Sequence, residues 1–476
     1  MISACHKLLL YLLFCLAFQN LYAQKKVGQT AKKPELRIDS VRLVPDADRW
    51  VKAGDELRIE MFGAPGQKAF FLDDQPLAEV SPGIYRGRYI VRQDDLFHDE
   101  PVEAYVHSGD NIVSRETGAK VRYLANDTSA LSAKKRTSLY YGLGDDRLGG
   151  AKMGTIDSAI RLRICGKVGD MYQTRLAADR TAWLAEEDIR FDGQTFDAEP
   201  ALSGSWMIKS EGKYDVLKLS LPQRRPYISF TEIDPATITI DLFNVNSNTN
   251  WITQRGTMPA ISNSWYEQPS EGVLRVHLRL AANQLWGYRI GYEGNTLVVR
   301  VKHAPEKLQL SDLKIVLDAG HGGTNLGAKG ASGQLEKNIT LQIVQKLGKQ
   351  FERAGAQVFY TRKEDVTLDM PTRIDIAEAA DPDLMISIHC NSSGNKTVQG
   401  TSTYYKHVAF KPLSQYIQNE DLKLGLADFG NVGSFNFSLN SPTAFPNVLV
   451  ETAFISNTTD EQKLLDEKFQ QSLANS

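Results

Sequence analysis

The chain has 476 residues, 42% hydrophobic and 24% charged, and its formal net charge of −2 gives no electrostatic footprint for a DNA or RNA partner. At this length three or four domains are expected, so each segment is read separately. Of the four cysteines, Cys5 and Cys15 fall at the N-terminus and Cys165 and Cys390 lie far apart, so no disulfide framework is expected and the latter two read as small buried side chains.

In chain order, His6-Lys7 precede an apolar run over residues 8–18, then a polar break and Leu21-Tyr-Ala-Gln24. That pattern predicts a secretory signal peptide over residues 1–23, cleaved after Ala23, and hence a secreted, periplasmic or cell-wall-associated protein. The run is too short to span a bilayer, and no transmembrane segment is predicted elsewhere. Residues 24–35 are polar and read as a linker. Residues 36–125 alternate apolar and polar positions in short runs, as in Glu56-Leu-Arg-Ile-Glu-Met-Phe62, and predict a β-sandwich-like domain. After a polar bridge, residues 136–200 predict a second β domain whose end, Thr181-Ala-Trp-Leu-Ala185, resembles a bacterial SH3-type barrel. Residues 201–304 predict a third, with strands near 237–243, 273–280 and 296–302.

From residue 313 to 476 short β-branched runs alternate with helical patterns. Lys314-Ile-Val-Leu-Asp318 reads as a strand, residues 336–354 as a helix with Ile339, Ile343, Leu347 and Phe351 on one face, and Gln357-Val-Phe-Tyr-Thr361 as the next strand. A helix near 372–380, the strand Leu384-Met-Ile-Ser-Ile388 and the strand Val448-Leu-Val450 follow, and the last residues read as one helix carrying Leu464, Leu465, Phe469 and Leu473. The fold class expected is therefore multidomain, with N-terminal all-β domains before a C-terminal α/β domain built on a mostly parallel sheet.

Ligands of open α/β sheets bind beyond the carboxyl ends of the strands. There the first strand runs into Ala319-Gly-His321-Gly-Gly323, another ends in His389-Cys-Asn391, and the strand 448–450 ends in Glu451. Glu336 opens the helix after the Gly-rich loop. Two histidines and a carboxylate with an open position form the ligand set of a hydrolytic zinc site, and a second carboxylate can take the proton of the attacking water. Magnesium or calcium would demand more oxygen donors. The Gly-rich loop lacks the Lys-Ser/Thr of a phosphate loop, so a nucleotide site is not expected.

The motifs Ile315-Val-Leu-Asp-Ala-Gly-His-Gly-Gly323, Leu335-Glu-Lys-Asn-Ile339, Thr361-Arg362, Ser387-Ile-His-Cys-Asn391 and Leu449-Val-Glu-Thr-Ala-Phe-Ile-Ser-Asn457 resemble the zinc-dependent N-acetylmuramoyl-L-alanine amidase family, catalytic domain type 3. The resemblance implies that Zn2+ is the cofactor, that His321, Glu336 and His389 are its ligands and that Glu451 is the catalytic residue. It implies hydrolysis of the amide between N-acetylmuramic acid and L-alanine of the stem peptide. Peptidoglycan is then the partner, a cell-division regulator is a further candidate partner, and residues 201–304 are similar to an amidase-associated β domain that binds cell wall. Arg373 matches a family arginine, taken as structural. The short link from His389 to residue 401 leaves no room for the long inhibitory helix of some relatives, and residues 427–435 lack a basic residue often present there. The alternatives are a catalytically silent wall-binding or activator protein and a zinc endopeptidase of the stem peptide. His407 is read as structural, His98, His107, His277 and His303 as lacking metal partners, and Trp183, Trp286 and Tyr288 as core rather than sugar platforms.

Overall fold

The computed structural model describes residues 36–476, apart from residues 73, 145–148 and 197–198, so the expected signal peptide and linker lie outside the described residues. No described helix is long and apolar enough to cross a membrane. The chain divides into two compact units, one comprising the described residues up to Ala125 with Gly166–Gly169, the other Asn126–Cys165 with Asp170–Ser476.

The first unit is all β. The strands Ile38–Leu43, Glu56–Gly63 and Ile84–Ile90 pair antiparallel, and His98–Ser108 with Asn111–Tyr123 form a long hairpin. Alternation places Leu57, Ile59 and Met61 inward against Tyr85, Val102 and Val121, all essentially buried.

In the second unit residues 126–165 and 170–303 are again β. Ala236–Phe243 is buried at every position because it is a central strand, between Tyr227–Ile233 and Val273–Leu280. A separate sheet pairs Tyr214–Ser220 with Thr296–Lys302. The expected strands near 237–243, 273–280 and 296–302 thus lie within observed ones.

The C-terminal part comprises β1 (Lys314–Ala319), α1 (Glu336–Arg353), β2 (Gln357–Tyr360), α2 (Met370–Ala380), β3 (Leu384–Asn391), β4 (Thr401–Tyr404), α3 (Lys411–Leu422), β5 (Asp428–Val432), β6 (Asn447–Phe454), α4 (Thr458–Leu465) and α5 (Glu467–Asn475). The strand order is β2-β1-β3-β6-β4-β5, parallel except where β4 meets β6. Helices cover both faces, so Ile315, Val316 and Leu317 are all fully buried, and the strand reads as a continuous apolar run rather than an alternating one. Ile339, Ile343 and Val344 of α1 pack on one face with Leu317, Ile388 and Val450, while Ala377 of α2 joins Val316, Met385 and Phe445 on the other.

Three local expectations are corrected. The last strand continues through Glu451 to Phe454, so Glu451 lies within β6 and not at its end. Likewise His389 lies inside β3. The expected terminal helix is two helices, because the Asp466 carboxylate accepts from the Lys468 amide at 2.9 Å and caps a new start; Leu464 and Leu473 are buried while Leu465 is exposed. Residues 392–400 join β3 to β4 without a helix.

Residues 126–303 are seamed to this α/β part. The Tyr288 amide donates to the Thr443 carbonyl at 2.7 Å, and a Cβ on Gly287 would stand 2.2 Å from the Ala444 carbonyl oxygen. Lys302, almost fully buried, pairs with Asp383 at 2.9 Å, and Arg136 pairs with Glu378 at 3.0 Å.

Candidate metal centre

His321, Glu336 and His389 come together at the carboxyl-end edge of the sheet, with one donor atom from each within 4.8 Å of the others. Glu336 Oε1 stands 3.1 Å from His321 Nε2 and 3.1 Å from His389 Nδ1. Two donors about 2.1 Å from a tetrahedral ion lie about 3.4 Å apart, so these spacings are near what a shared zinc ion requires.

Each donor is aimed by backbone the sequence partly announces. His321 itself adopts a left-handed backbone, φ 62°, followed by Gly322 at φ 129° and Gly323 at φ 55°. A non-glycine residue there is strained, and such strain collects at functional sites. Asn325 Oδ1 lies 2.9 Å from His321 Nδ1, which leaves Nε2 turned to Glu336. The His389 ring lies against Gly320, where a Cβ would fall 2.4 Å from the ring Cε1. Glu336, at the first position of α1, accepts from the Ala328 amide at 2.8 Å through Oε2 and from the Cys390 amide at 3.0 Å through Oε1. Burial pushes its carboxyl up, but the two imidazoles outweigh this and hold it well below the usual carboxylate range. For His389 burial favours the neutral ring, yet Glu336, Glu451 and Asp318 raise it to about 9. Such a concentration of negative charge around two imidazoles fits a divalent cation.

Glu451 is half-buried, in register with His389 on one side and Ser402 on the other, so the three side chains share one face of the sheet. It is not one of the clustered donors; its carboxylate acts on His389 and Tyr404 through charge.

Beneath the trio lies a buried polar layer that sequence reasoning left largely unread. Asp318, fully buried, accepts from Arg373 Nη1 at 2.7 Å and from the hydroxyls of Thr361 and Ser387, both at 2.6 Å. Arg373 also donates to the carbonyls of Ala319 and His321, and Arg362 donates to those of Ala319, Gly320 and Lys337. Two buried guanidinium groups thus hold the loop that carries His321. Arg373 touches backbone and Asp318, the structural placement expected. For Arg362 the signal was its place in the Thr361-Arg362 motif; for Asn325 it was a short amide four residues after a candidate ligand.

The remaining candidates lie elsewhere. His407 Nε2 sits 2.9 Å from the Ser441 carbonyl oxygen, and its ring packs edge-on to Phe410. His277 stacks on Trp265, His303 contacts Asp215 and His107 stacks on Phe70. His98 is exposed. Tyr288 is buried, Trp183 and Trp286 half-buried, and Cys165 and Cys390 are both buried.

Comparison with known proteins places the same segment. A family model described as N-acetylmuramoyl-L-alanine amidase matches residues 315–476. The amidase LytC of Bacillus subtilis is 34% identical over 177 residues, covering 36% of this chain and 35% of that protein. The amidase AmiC of Escherichia coli is 29% identical over 209 residues, 34% of this chain and 50% of that protein. The match therefore spans a third to a half of these curated relatives. The solved catalytic domain of CwlV from Bacillus (Paenibacillus) polymyxa var. colistinus is 34% identical, covering 34% of this chain and 92% of that one, with a TM-score of 0.33.

Proposed function

From the premise that the chain belongs to the N-acetylmuramoyl-L-alanine amidase family through residues 315–476, we propose that it hydrolyses the amide joining N-acetylmuramic acid to L-alanine of the peptidoglycan stem peptide. The observation that carries this reading is the trio His321, Glu336 and His389 with Glu451 one strand away in register with His389. Imidazole nitrogens and one carboxylate suit zinc, with His321, Glu336 and His389 as its three protein ligands. A zinc ion bound there supplies Lewis acidity for an acyl carbonyl and for water. The chain's own residues do the rest. Glu451, in register with His389, accepts the proton of the attacking water and returns it to the departing amine of L-alanine. Asn325 holds the His321 ring in the tautomer that frees Nε2, and Arg362 and Arg373 fix the loop beneath it. The β regions 36–125, 136–200 and 201–304 serve to hold the enzyme on the wall after secretion.

The test is mass analysis of what the purified, zinc-loaded protein releases from sacculi. Intact stem peptides and peptide-free glycan strands are expected. Shortened stems still joined to glycan would identify an endopeptidase, and no release with zinc bound would identify a silent binder.

A further inference from the structure

Four polar side chains at the start of α4 are all buried: Ser456, Asn457, Asp460 and Glu461. Three of them hold the link between β3 and β4. Ser456 Oγ accepts from the Ser393 amide at 2.9 Å, Asn457 Nδ2 donates to the Lys396 carbonyl at 2.8 Å, and Asp460 Oδ2 accepts from the Gly400 amide at 2.7 Å. Glu461 reaches elsewhere. Its Oε1 accepts from the Ser332 hydroxyl at 2.8 Å and its Oε2 from the Ser332 amide at 3.0 Å, across 129 residues of sequence, and a Cβ on Gly330 would collide with it. Burying a carboxylate to 3% exposure costs free energy that its hydrogen bonds only offset, so a position serving packing alone is better filled by an apolar side chain.

Ser332 is at the exposed tip of a hairpin that leads from the His321 loop into α1, and the rungs of that hairpin run down to the metal centre. The Gly330 amide donates to the Gln334 carbonyl at 2.8 Å, Lys329 bridges Leu335, and the Glu336 amide donates to the Ala328 carbonyl at 2.9 Å. At this last rung the Ala328 amide also donates to Glu336 Oε2, at 2.8 Å. Gly327, next in the same limb, lies so close to two of the trio that a Cβ would stand 2.6 Å from Glu336 Oε2 and 2.7 Å from His321 Cδ2. Glycines at 327, 330 and 333 leave this ladder a large loss of freedom on ordering, and residues 331–334 are all exposed. A tether at the tip therefore bears on the shape of the whole hairpin.

We infer that Glu461 is a positioning residue for the metal ligand Glu336, acting through the hairpin of residues 328–336. The inference rests on the zinc reading above. With Ala328 on Oε2, Glu336 offers an ion one oxygen, Oε1, the atom that faces both imidazole rings. A carboxylate free to turn can offer both oxygens and fill a position that a hydrolytic site keeps open. Glu461 holds Ser332, the ladder holds Ala328, and Ala328 keeps Glu336 to a single donor atom.

The experiment measures zinc affinity of the full chain by competition with a chelator, and the visible bands of the cobalt-substituted protein, whose intensity falls as coordination number rises. The melting temperature of the metal-free protein is recorded beside them. Glu461→Ala should weaken zinc binding by about tenfold, the low end of what losing a ligand's supporting contacts costs, and should dim the cobalt bands. Glu461→Gln keeps an acceptor oxygen and should recover most of the loss. A purely structural role would lower the metal-free melting temperature of Glu461→Ala and leave affinity and cobalt bands unmoved, and that result would overturn the inference. Should Glu461→Ala fail to fold, Ser332→Ala decides. It changes an exposed residue, removes only the hydroxyl bond and should weaken zinc by about threefold or more, the scale of one hydrogen bond; unchanged affinity there would overturn the inference equally. An unmodified chain that binds no zinc would instead overturn the zinc reading itself.

Discussion

Replacing Arg373 by alanine probes the layer under the metal centre. The guanidinium is 1% exposed and its partner Asp318 is 0% exposed, so the change leaves a carboxylate with two hydroxyl donors and no paired guanidinium. Breaking a buried pair on one side costs about 3–5 kcal/mol. At about 2–4 °C per kcal/mol, the melting temperature should fall by roughly 6–20 °C. Because Arg373 also holds the His321 carbonyl, zinc affinity should fall with it. Asp318 is pushed up by burial, but Arg373, Ser387 and Thr361 together hold its proton affinity below the ordinary carboxylate range. Its contribution is thus present above the unfolded carboxylate pKa and lost as pH falls through the lower folded value, and the Arg373→Ala defect should shrink in acid. Scanning calorimetry of Arg373→Ala, Asp318→Asn and the double variant measures the coupling. A single-variant loss below about 1 kcal/mol, or strict additivity, would refute the reasoning.

Three further outcomes follow. Glu451→Gln should keep fold and zinc while turnover falls by a factor on the order of 10² to 10⁴; near-normal release of stem peptides would move the proton transfer to another group. Gly320→Ala, whose Cβ would meet the His389 ring at 2.4 Å, should weaken zinc binding by about tenfold or more with the fold retained, read by competition with a chelator. Asp421, buried in α3, is pushed up to about 7 by burial, so its neutral form belongs to the folded state. That contribution is complete below about pH 4 and is lost as pH rises through 7, by at most about 4 kcal/mol. Asp421→Asn should accordingly flatten the fall in stability between pH 5 and 8, and parallel denaturation curves for the two proteins would count against it.

What was legible in the sequence follows from range. The strands of the α/β part announced themselves because burial on both faces makes 315–317, 384–386 and 448–450 continuous apolar runs. The trio was legible because short loops and one helix start deliver its side chains. The true extent of β6 was not: Glu451, Thr452 and Ala453 look like a strand exit, and it is pairing of Glu451 with β3 and β4 and of Phe454 with β3 that carries the strand on. Nor could the supporting contacts be read, since Asp318 meets partners 43, 55 and 69 residues away and Arg136 meets Glu378 at a separation of 242. Asp466 was visible as a short acid before Glu467, yet the apolar spacing across it suggested one continuous helix.

The close approach of Gly287 to Ala444 bears on how such a chain can be rearranged. With backbone against backbone at that point, the region 126–303 and the α/β part are parts of one moulding, not beads on a string. Transplanting residues 313–476 onto another anchor would lay bare the Thr443 carbonyl and strip Asp383 and Glu378 of their cations, just upstream of the strand that carries Glu451. A working graft has either to bring residues 126–303 along or to repaint that seam with polar side chains. By the same logic, insertions at residues 443–445 should be tolerated far less well than insertions at exposed turns such as the one at Gly294.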